Sequence, residues 1–124
     1  MMTEEIHWKL TLRLFSGYSQ RSFGPGIAEL LERVEEHKSL RSAAASMGMA
    51  YSKAWRIIRT AESVFGCKML STAIGGKNGG GAQLTPQARQ LLESYRQFTA
   101  RVESCAGEAF DDCFGFLREW KKEE

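Results

Sequence analysis

The sequence contains no apolar run of 18 residues, the length that a membrane-spanning helix needs. Its first ten residues include Glu4 and Glu5 and have no signal-peptide core. From these absences we expect a cytoplasmic protein with no membrane partner.

Cysteine and histidine are also scarce. The three cysteines are odd in number and lack Cys-x-x-Cys spacing, which argues against a disulfide framework or a zinc ribbon. Cys105 and Cys113 are expected as small buried groups on a helix. His37 has no second His or Cys at ligand spacing, so no metal site or cofactor is expected.

Paired carboxylates and a nucleophile beside a base are missing as well, so we do not expect an enzyme. The length of 124 residues suits one domain, 1–124, with a modest core. The chain is 43% hydrophobic and 26% charged, which is ordinary for a globular protein. The pattern predicts a mainly α fold with a small β component (α+β).

Two short helices with a tight turn between them are predicted at about 39–65. Ser39 is a good N-cap, and the alanines that follow leave room for a second helix to cross closely. Gly48 can take the left-handed conformation that ends the first helix. The second helix runs from about Tyr51 to Phe65, and the layout is that of a helix-turn-helix.

The second helix has an apolar face and a basic face. Its apolar positions are Ala54, Ile58, Ala61 and Phe65, and its polar face carries Ser52, Arg56 and Arg59, with Lys53 adjacent. From His37 to Arg89 there are eight Lys or Arg and one acid, a formal +7, whereas the rest of the chain carries −5. Such a basic block indicates a nucleic-acid surface, with an ordinary solvated face as the alternative.

A β-hairpin is predicted after this helix, at about 67–84. Cys67–Thr72 and Ala82–Leu84 can pair as strands, and five glycines stand in the seven residues from Gly75 to Gly81. Glycines let backbone amides approach phosphates, and Lys77 adds a charge there. A mobile linker is the alternative, and a Walker loop is disfavoured because Asn78 follows the lysine.

The two motifs together carry a family resemblance. The segments are Met49–Trp55, MAYSKAW, and Gly75–Thr85, GGKNGGGAQLT. Their pairing resembles the N-terminal winged-helix domain of molybdate-responsive, ModE-type transcription regulators, which is related to the DNA-binding domain of LysR-type regulators. The similarity runs from roughly Trp8 to Val102. It implies a dimeric DNA-binding domain, with Tyr51–Arg59 on the recognition helix and the glycine segment on the wing.

The chain departs from this family pattern in two ways. Ala50 stands where the family usually has Ser, so a cap and a phosphate contact by that hydroxyl are not carried over. The larger regulators also carry C-terminal oxyanion-binding domains, for which this chain has no room. The resemblance therefore implies a link to molybdate metabolism, whereas direct molybdate sensing is not carried over from the family.

The N-terminal third is predicted as a strand, a loop and an acidic helix. Apolar residues alternate from Ile6 to Leu14, which is typical of a half-buried strand or of a strand that pairs with a neighbouring subunit. Ser16–Pro25 is predicted as a loop. The helix after Pro25 should end near Glu36. Its acidic edge would repel DNA, so we expect it to lie away from the duplex.

A long helix at about 86–113 is predicted to mediate dimerisation. Thr85-Pro86 is a typical helix start, and apolar residues follow at alternating spacings of three and four. Packing within the same subunit is the alternative. The residues expected at a homodimer interface are Trp8, Leu91, Tyr95, Phe98, Val102 and Ala109.

The combined prediction is a winged-helix transcription regulator that binds double-stranded DNA as a homodimer. Tyr51 and Trp55 are expected to pack rather than to contact bases. The alternatives are an oxyanion-binding protein and a protein-interaction module on the same scaffold. The predicted DNA-binding residues are Arg41, Ser52, Lys53, Arg56, Arg59, Lys68, Lys77 and Asn78.

Overall fold

The helix-turn-helix and the hairpin beside it form a winged helix, as the sequence predicts. A computed structural model describes residues 5–17, 20–72 and 81–122. In chain order the elements are β1 (Leu14–Ser16), β2 (Gln20–Phe23), α1 (Pro25–His37), α2 (Leu40–Ser46), α3 (Tyr51–Phe65), β3 (Leu70–Thr72), β4 (Ala82–Leu84), α4 (Pro86–Phe114) and α5 (Leu117–Lys122).

The helix-turn-helix consists of α2 and α3, and its local signals act as predicted. The Ser42 amide donates to the Ser39 hydroxyl oxygen at 3.1 Å, which caps α2. Gly48 takes φ +65° in the turn, the left-handed region that favours glycine. Ala44 and Ala54 are buried, so their small side chains let the two helices contact each other closely.

The core lies beneath α3 and is built mainly by α1. Leu30, Leu31 and Val34 of α1 are fully buried together with Ile58 of α3 and Met69. The inner face of α3 is therefore fixed by apolar burial, the dominant favourable term in folding. Its outer face is left available for contacts with other molecules.

The wing is shorter at its base than the sequence suggests. β3 and β4 pair antiparallel, with Leu70 opposite Leu84 and Thr72 opposite Ala82. The predicted first strand began at Cys67, but the Met69 amide instead donates to the Glu62 carboxylate at 2.9 Å. That bond ties the segment to α3 and delays the strand. Most of the predicted wing tip, Gly75–Gly80 with Lys77 and Asn78, lies outside the described residues.

The N-terminal prediction is wrong in detail. Residues 5–13 form no strand, and the strands are instead β1 and β2, which pair antiparallel. β2 falls within the predicted loop. The physical reason is visible at Leu12, whose carbonyl accepts a 2.7 Å hydrogen bond from the Tyr95 hydroxyl of α4. This extended segment packs on a helix and has no partner strand among the described residues, so alternation alone did not identify a sheet.

α4 begins at the predicted residue and ends one residue later than predicted, at Phe114. The Ala88 amide donates to the Thr85 hydroxyl oxygen at 3.1 Å, and Pro86 occupies the first turn. Among the described residues of α4, only Ala88 and Tyr95 are buried. Cys105 and Cys113 are exposed, which corrects the expectation that they are buried. They lie beyond the part of the helix that contributes to the core.

Candidate nucleic-acid interface

The outer face of α3 carries the polar residues that the sequence assigned to it. Ser52, Lys53, Arg56 and Arg59 are all exposed. Ala54, Ile58 and Ala61 on the opposite side are fully or almost fully buried. The 3.6-residue period of the helix separates the two sets.

Two shallow grooves follow this face and join it to the wing. Arg59 and Trp55 line both grooves, so they lie where the two meet. Lys68 and the first wing strand line the second groove with them. The first groove is lined by Tyr51, Ser52, Trp55, Arg56, Arg59, Thr60 and Ser63. The second is lined by Trp55, Arg59, Glu62, Lys68, Leu70, Ser71 and Thr72.

The cations of this surface form no ion pairs within the part of the chain that the structure describes. The ion pairs there are Arg33–Glu29, Arg89–Glu35, Arg96–Glu32 and Arg118–Asp111. None of them includes Arg41, Lys53, Arg56, Arg59 or Lys68. These side chains can therefore meet an external anion without first losing an internal partner.

The acidic edge of α1 has a role that the sequence did not indicate. The Glu32 carboxylate contacts Arg96 of α4, and the Glu35 carboxylate contacts Arg89 of the same helix at 2.7 Å. The edge thus joins α1 to the long helix. It also neutralises Arg89, so the formal charge of the basic block overstates the charge available to a ligand.

Arg41 reaches the start of α3 from the first turn of α2. Its guanidinium carbon lies 4.2 Å from the centre of the Tyr51 ring, a cation–π contact. A second contact of this kind places the Arg59 guanidinium carbon 5.4 Å from the Trp55 ring. The structure thus brings Arg41 to the same surface as Arg59.

Tyr51 is more exposed than the sequence indicated, whereas Trp55 packs on the core as expected. Tyr51 is 37% exposed, whereas the expectation was that it packs. Trp55 is half-buried and packs partly against the core while its remaining surface lines both grooves. The sequence did contain a signal that these residues share a surface. Their i, i+4 spacing, continued to Arg59 at i+8, places all three on one stripe of the helix.

A third groove lies on the other side of Arg56, between α3 and the start of α1. Its lining includes Arg13, Pro25, Ile27 and Ile57 beside Arg56. Arg13 is a cationic side chain close to this surface that the sequence did not point to.

The residues predicted for dimerisation fall into different environments. Tyr95 is only 4% exposed and hydrogen-bonded within its own chain, so the structure places it in the core rather than at an interface. Leu91 is half-buried and packs against the core. Trp8 is half-buried and lies against α4, with a ring atom 3.5 Å from where a Cβ on Gly107 would be. Phe98 is 46% exposed, Val102 is half-buried and Ala109 is exposed.

The described residues contain no group of three or more His, Cys, Asp or Glu that could hold a metal ion. None of the helices within those residues combines the length and apolar character needed to span a bilayer.

Comparison with known proteins gives one family match. The model of the bacterial regulatory helix-turn-helix proteins of the lysR family matches residues 28–89. This range runs from within α1 to the first turn of α4. It includes both described grooves beside α3.

The chain is also similar to ModE-type proteins. It is 33% identical over 90 residues to the molybdenum transport protein ModE of Herbaspirillum seropedicae, covering 73% of this chain and 32% of that protein. It is 30% identical over 104 residues to the DNA-binding transcriptional dual regulator ModE of Escherichia coli K12, covering 83% of this chain and 38% of that protein. A third relative is the molybdenum-pterin-binding protein MopB of Rhodobacter capsulatus. It is 33% identical over 73 residues, which cover 59% of this chain and 27% of that protein. The chain spans about a third of the length of these relatives.

These matches confirm the resemblance that the two motifs predicted. The matched family consists of regulators and not of enzymes, in agreement with the expectation from the sequence.

Proposed function

We propose that this chain, which belongs to the lysR family of bacterial regulatory helix-turn-helix proteins, regulates transcription by binding double-stranded DNA through α3 and the wing. The observation that carries the proposal is the set of exposed cations on α3, namely Lys53, Arg56 and Arg59, which form no ion pair in the described part of the chain. Since DNA in bacteria is cytoplasmic, the cytoplasm is the proposed compartment.

In this proposal α3 enters the major groove. Its Arg56 and Arg59 are suited to the O6 and N7 acceptors of guanine, and Ser52 can reach a base edge or a phosphate. Arg41 and Lys68 lie at the two ends of the same surface and contact phosphates, which fixes the register of α3 on the duplex. Lys77 and Asn78 of the wing tip are proposed to contact phosphates as well.

The regulated genes are proposed to serve molybdate metabolism. The support is the similarity to proteins named as molybdenum transport and molybdenum-pterin-binding proteins. Because the matches span only about a third of these relatives, the proposal extends to DNA binding and not to a molybdate site in this chain.

Affinity for duplex DNA should fall steeply as salt is added, because phosphate contacts release counterions. A complex with about six phosphate contacts loses roughly 10³-fold in affinity between 50 and 200 mM salt. Fluorescence anisotropy with a duplex selected from a random library measures this slope. Affinity that stays constant over this range would rule out the proposed phosphate contacts.

We further propose that the chain acts as a homodimer through the exposed apolar side of α4. Phe98 is 46% exposed, and Val102 one turn further along is half-buried. Leu91, Trp8 and Ala109 remain proposed interface residues, whereas Tyr95 is not included because it is buried. A two-fold dimer predicts a roughly palindromic site with half-sites about 34 Å apart, or a multiple of that distance.

Replacing Phe98 with Asp should weaken the dimer by at least about tenfold, because burying an unpaired carboxylate is costly. Sedimentation equilibrium measures the change. Ser104→Asp is the matched control, since it adds the same charge to another exposed face of α4. If both variants sediment like the original chain, Phe98 does not lie at a dimer interface.

A protein-interaction module on the same scaffold is the second candidate. The observation that favours it is the exposure of Tyr51 on the outer face of α3, since exposed aromatic residues are common at protein interfaces. The salt titration separates the two candidates, because only DNA binding requires a strong salt dependence.

A further inference from the structure

Four side chains form a continuous row across the outer face of the helix-turn-helix: Arg41, Tyr51, Trp55 and Arg59. The Arg41 guanidinium carbon lies 4.2 Å from the Tyr51 ring centre. The Tyr51 and Trp55 rings meet edge to face, with centres 6.3 Å apart and planes at 79°. The Arg59 guanidinium carbon then lies 5.4 Å from the Trp55 ring.

Packing of the core explains the position of Trp55 but not that of Tyr51. Tyr51 does not belong to the buried cluster or to the half-buried residues that pack on it, and it is 37% exposed. By contrast, the aromatic residues Phe23 and Tyr95 are buried and contact each other with ring centres 5.2 Å apart. Tyr51 is thus held at the start of α3 by its contacts with Arg41 and Trp55 and not by burial in the core.

The length of the row suits the major groove. Tyr51 and Arg59 are eight residues apart, so their positions are separated by about 12 Å along the helix axis. This equals three to four base-pair steps of about 3.4 Å. The N-terminal residues of a recognition helix are the ones that contact base edges, and Tyr51 is the first residue of α3.

An apolar side chain in the major groove has one distinctive target. Thymine presents a C5-methyl group there, whereas the other edges of the base pairs offer hydrogen-bond donors and acceptors. A guanidinium stacked on an aromatic ring keeps its in-plane N–H donors free, so Arg41 and Arg59 can still bind phosphate or guanine.

We infer that Tyr51 and Trp55 determine specificity by contacting thymine methyl groups, and that their rings position Arg41 and Arg59 on the duplex. This inference rests on the proposed binding of duplex DNA. It assigns base contact to the two residues that the sequence alone assigned to packing, and it predicts operators with thymines opposite the first two turns of α3.

The test removes single methyl groups from the DNA. In a duplex selected by the original chain, each thymine is changed in turn to deoxyuridine, which lacks only the C5-methyl group. A contacted methyl group should account for about fourfold in affinity, the value for burying one group of that size. At the position that each residue contacts, the same change should have no effect on Tyr51→Ala and a smaller effect on Trp55→Leu, because Leu keeps a shorter apolar side chain.

The variants are chosen so that the fold survives. Tyr51 is exposed, and Leu keeps an apolar side chain at Trp55, which packs partly on the core. Phe15→Ala is the matched control, because Phe15 is a 55% exposed aromatic residue on β1, outside the row. This control should keep the original sensitivity to deoxyuridine.

Two results overturn the inference while the proposed function stands. One is salt-dependent binding of DNA in which every thymine tolerates deoxyuridine. The other is a deoxyuridine effect that persists unchanged in both variants. Variants that select and bind DNA like the original chain would assign the aromatic row to a protein partner. If no duplex shows salt-dependent affinity, the proposed function fails and the inference fails with it.

Discussion

Replacing Ile58 with Ala should lower the free energy of unfolding by about 2–5 kcal/mol. Ile58 is fully buried, on the inner face of α3 and against the core that α1 builds. Truncation removes apolar contacts and leaves a cavity, because neighbouring side chains relax only partly. Chemical denaturation followed by circular dichroism measures the change.

Two further variants make this prediction specific. Ile58→Val removes a single methylene group and should cost only about 0.5–1.5 kcal/mol, so it keeps the protein folded under conditions in which the Ala variant unfolds. Ser63→Ala alters an exposed residue of the same helix and should change stability by less than about 0.5 kcal/mol. A cost for Ile58→Ala as small as that of Ser63→Ala would contradict the buried position of this side chain.

Replacing Arg56 with Ala should weaken binding to the preferred duplex by about 1–3 kcal/mol, or roughly 5- to 150-fold, and relax selection at one base pair. Arg56 is exposed on α3 and has no ion-pair partner in the described residues. Its loss should therefore remove the proposed base contact without disturbing the fold. Selection of duplexes from a random library, followed by anisotropy on the preferred and altered sites, measures both effects.

Arg118→Ala is the charge-matched control for this measurement. Arg118 lies on α5, where it contacts Asp111 at 3.6 Å, and it is outside both grooves beside α3. The two variants lose the same formal charge, so a general electrostatic effect would weaken both alike. If both variants lose the same affinity for DNA, or if the Arg56 variant selects the same duplexes as the original chain, Arg56 does not make the proposed base contact.

Together these two substitutions separate the faces of one helix. Ile58→Ala should lower stability and leave the affinity of the folded protein nearly unchanged. Arg56→Ala should do the reverse, because surface substitutions away from special contacts change stability by less than about 0.5 kcal/mol. The contrast follows from the burial of Ile58 and the exposure of Arg56, which lie two residues apart on opposite sides of α3.

Local signals predicted the helix-turn-helix most accurately. The bounds of α3 agree with the prediction at both ends, and Gly66 takes the left-handed conformation that closes it. The Thr85 cap and Pro86 likewise predicted the start of α4. Caps, glycine turns and proline act within a few residues of one chain segment, so their effects can be read without knowing what that segment contacts.

Predictions that depended on distant partners were less accurate. The alternation at residues 6–14 indicated a strand, but the Leu12 carbonyl is bonded to Tyr95, 83 residues further along. Tyr95 itself had the spacing of an interface residue and is instead buried. Helical or alternating periodicity identifies an apolar face but does not identify the surface that covers it.

The sequence by itself determined the class of fold, the two faces of α3 and the family, because each depends on residue type at short spacing. Only the tertiary structure decided which charges are available. It pairs Arg89 with Glu35 across two helices, while Arg41 reaches Tyr51 and Lys68 shares a groove with Arg59. Ion pairs need charged atoms within about 4 Å of each other and cation–π contacts need about 6 Å, so both depend on how distant segments pack and not on their order in the chain.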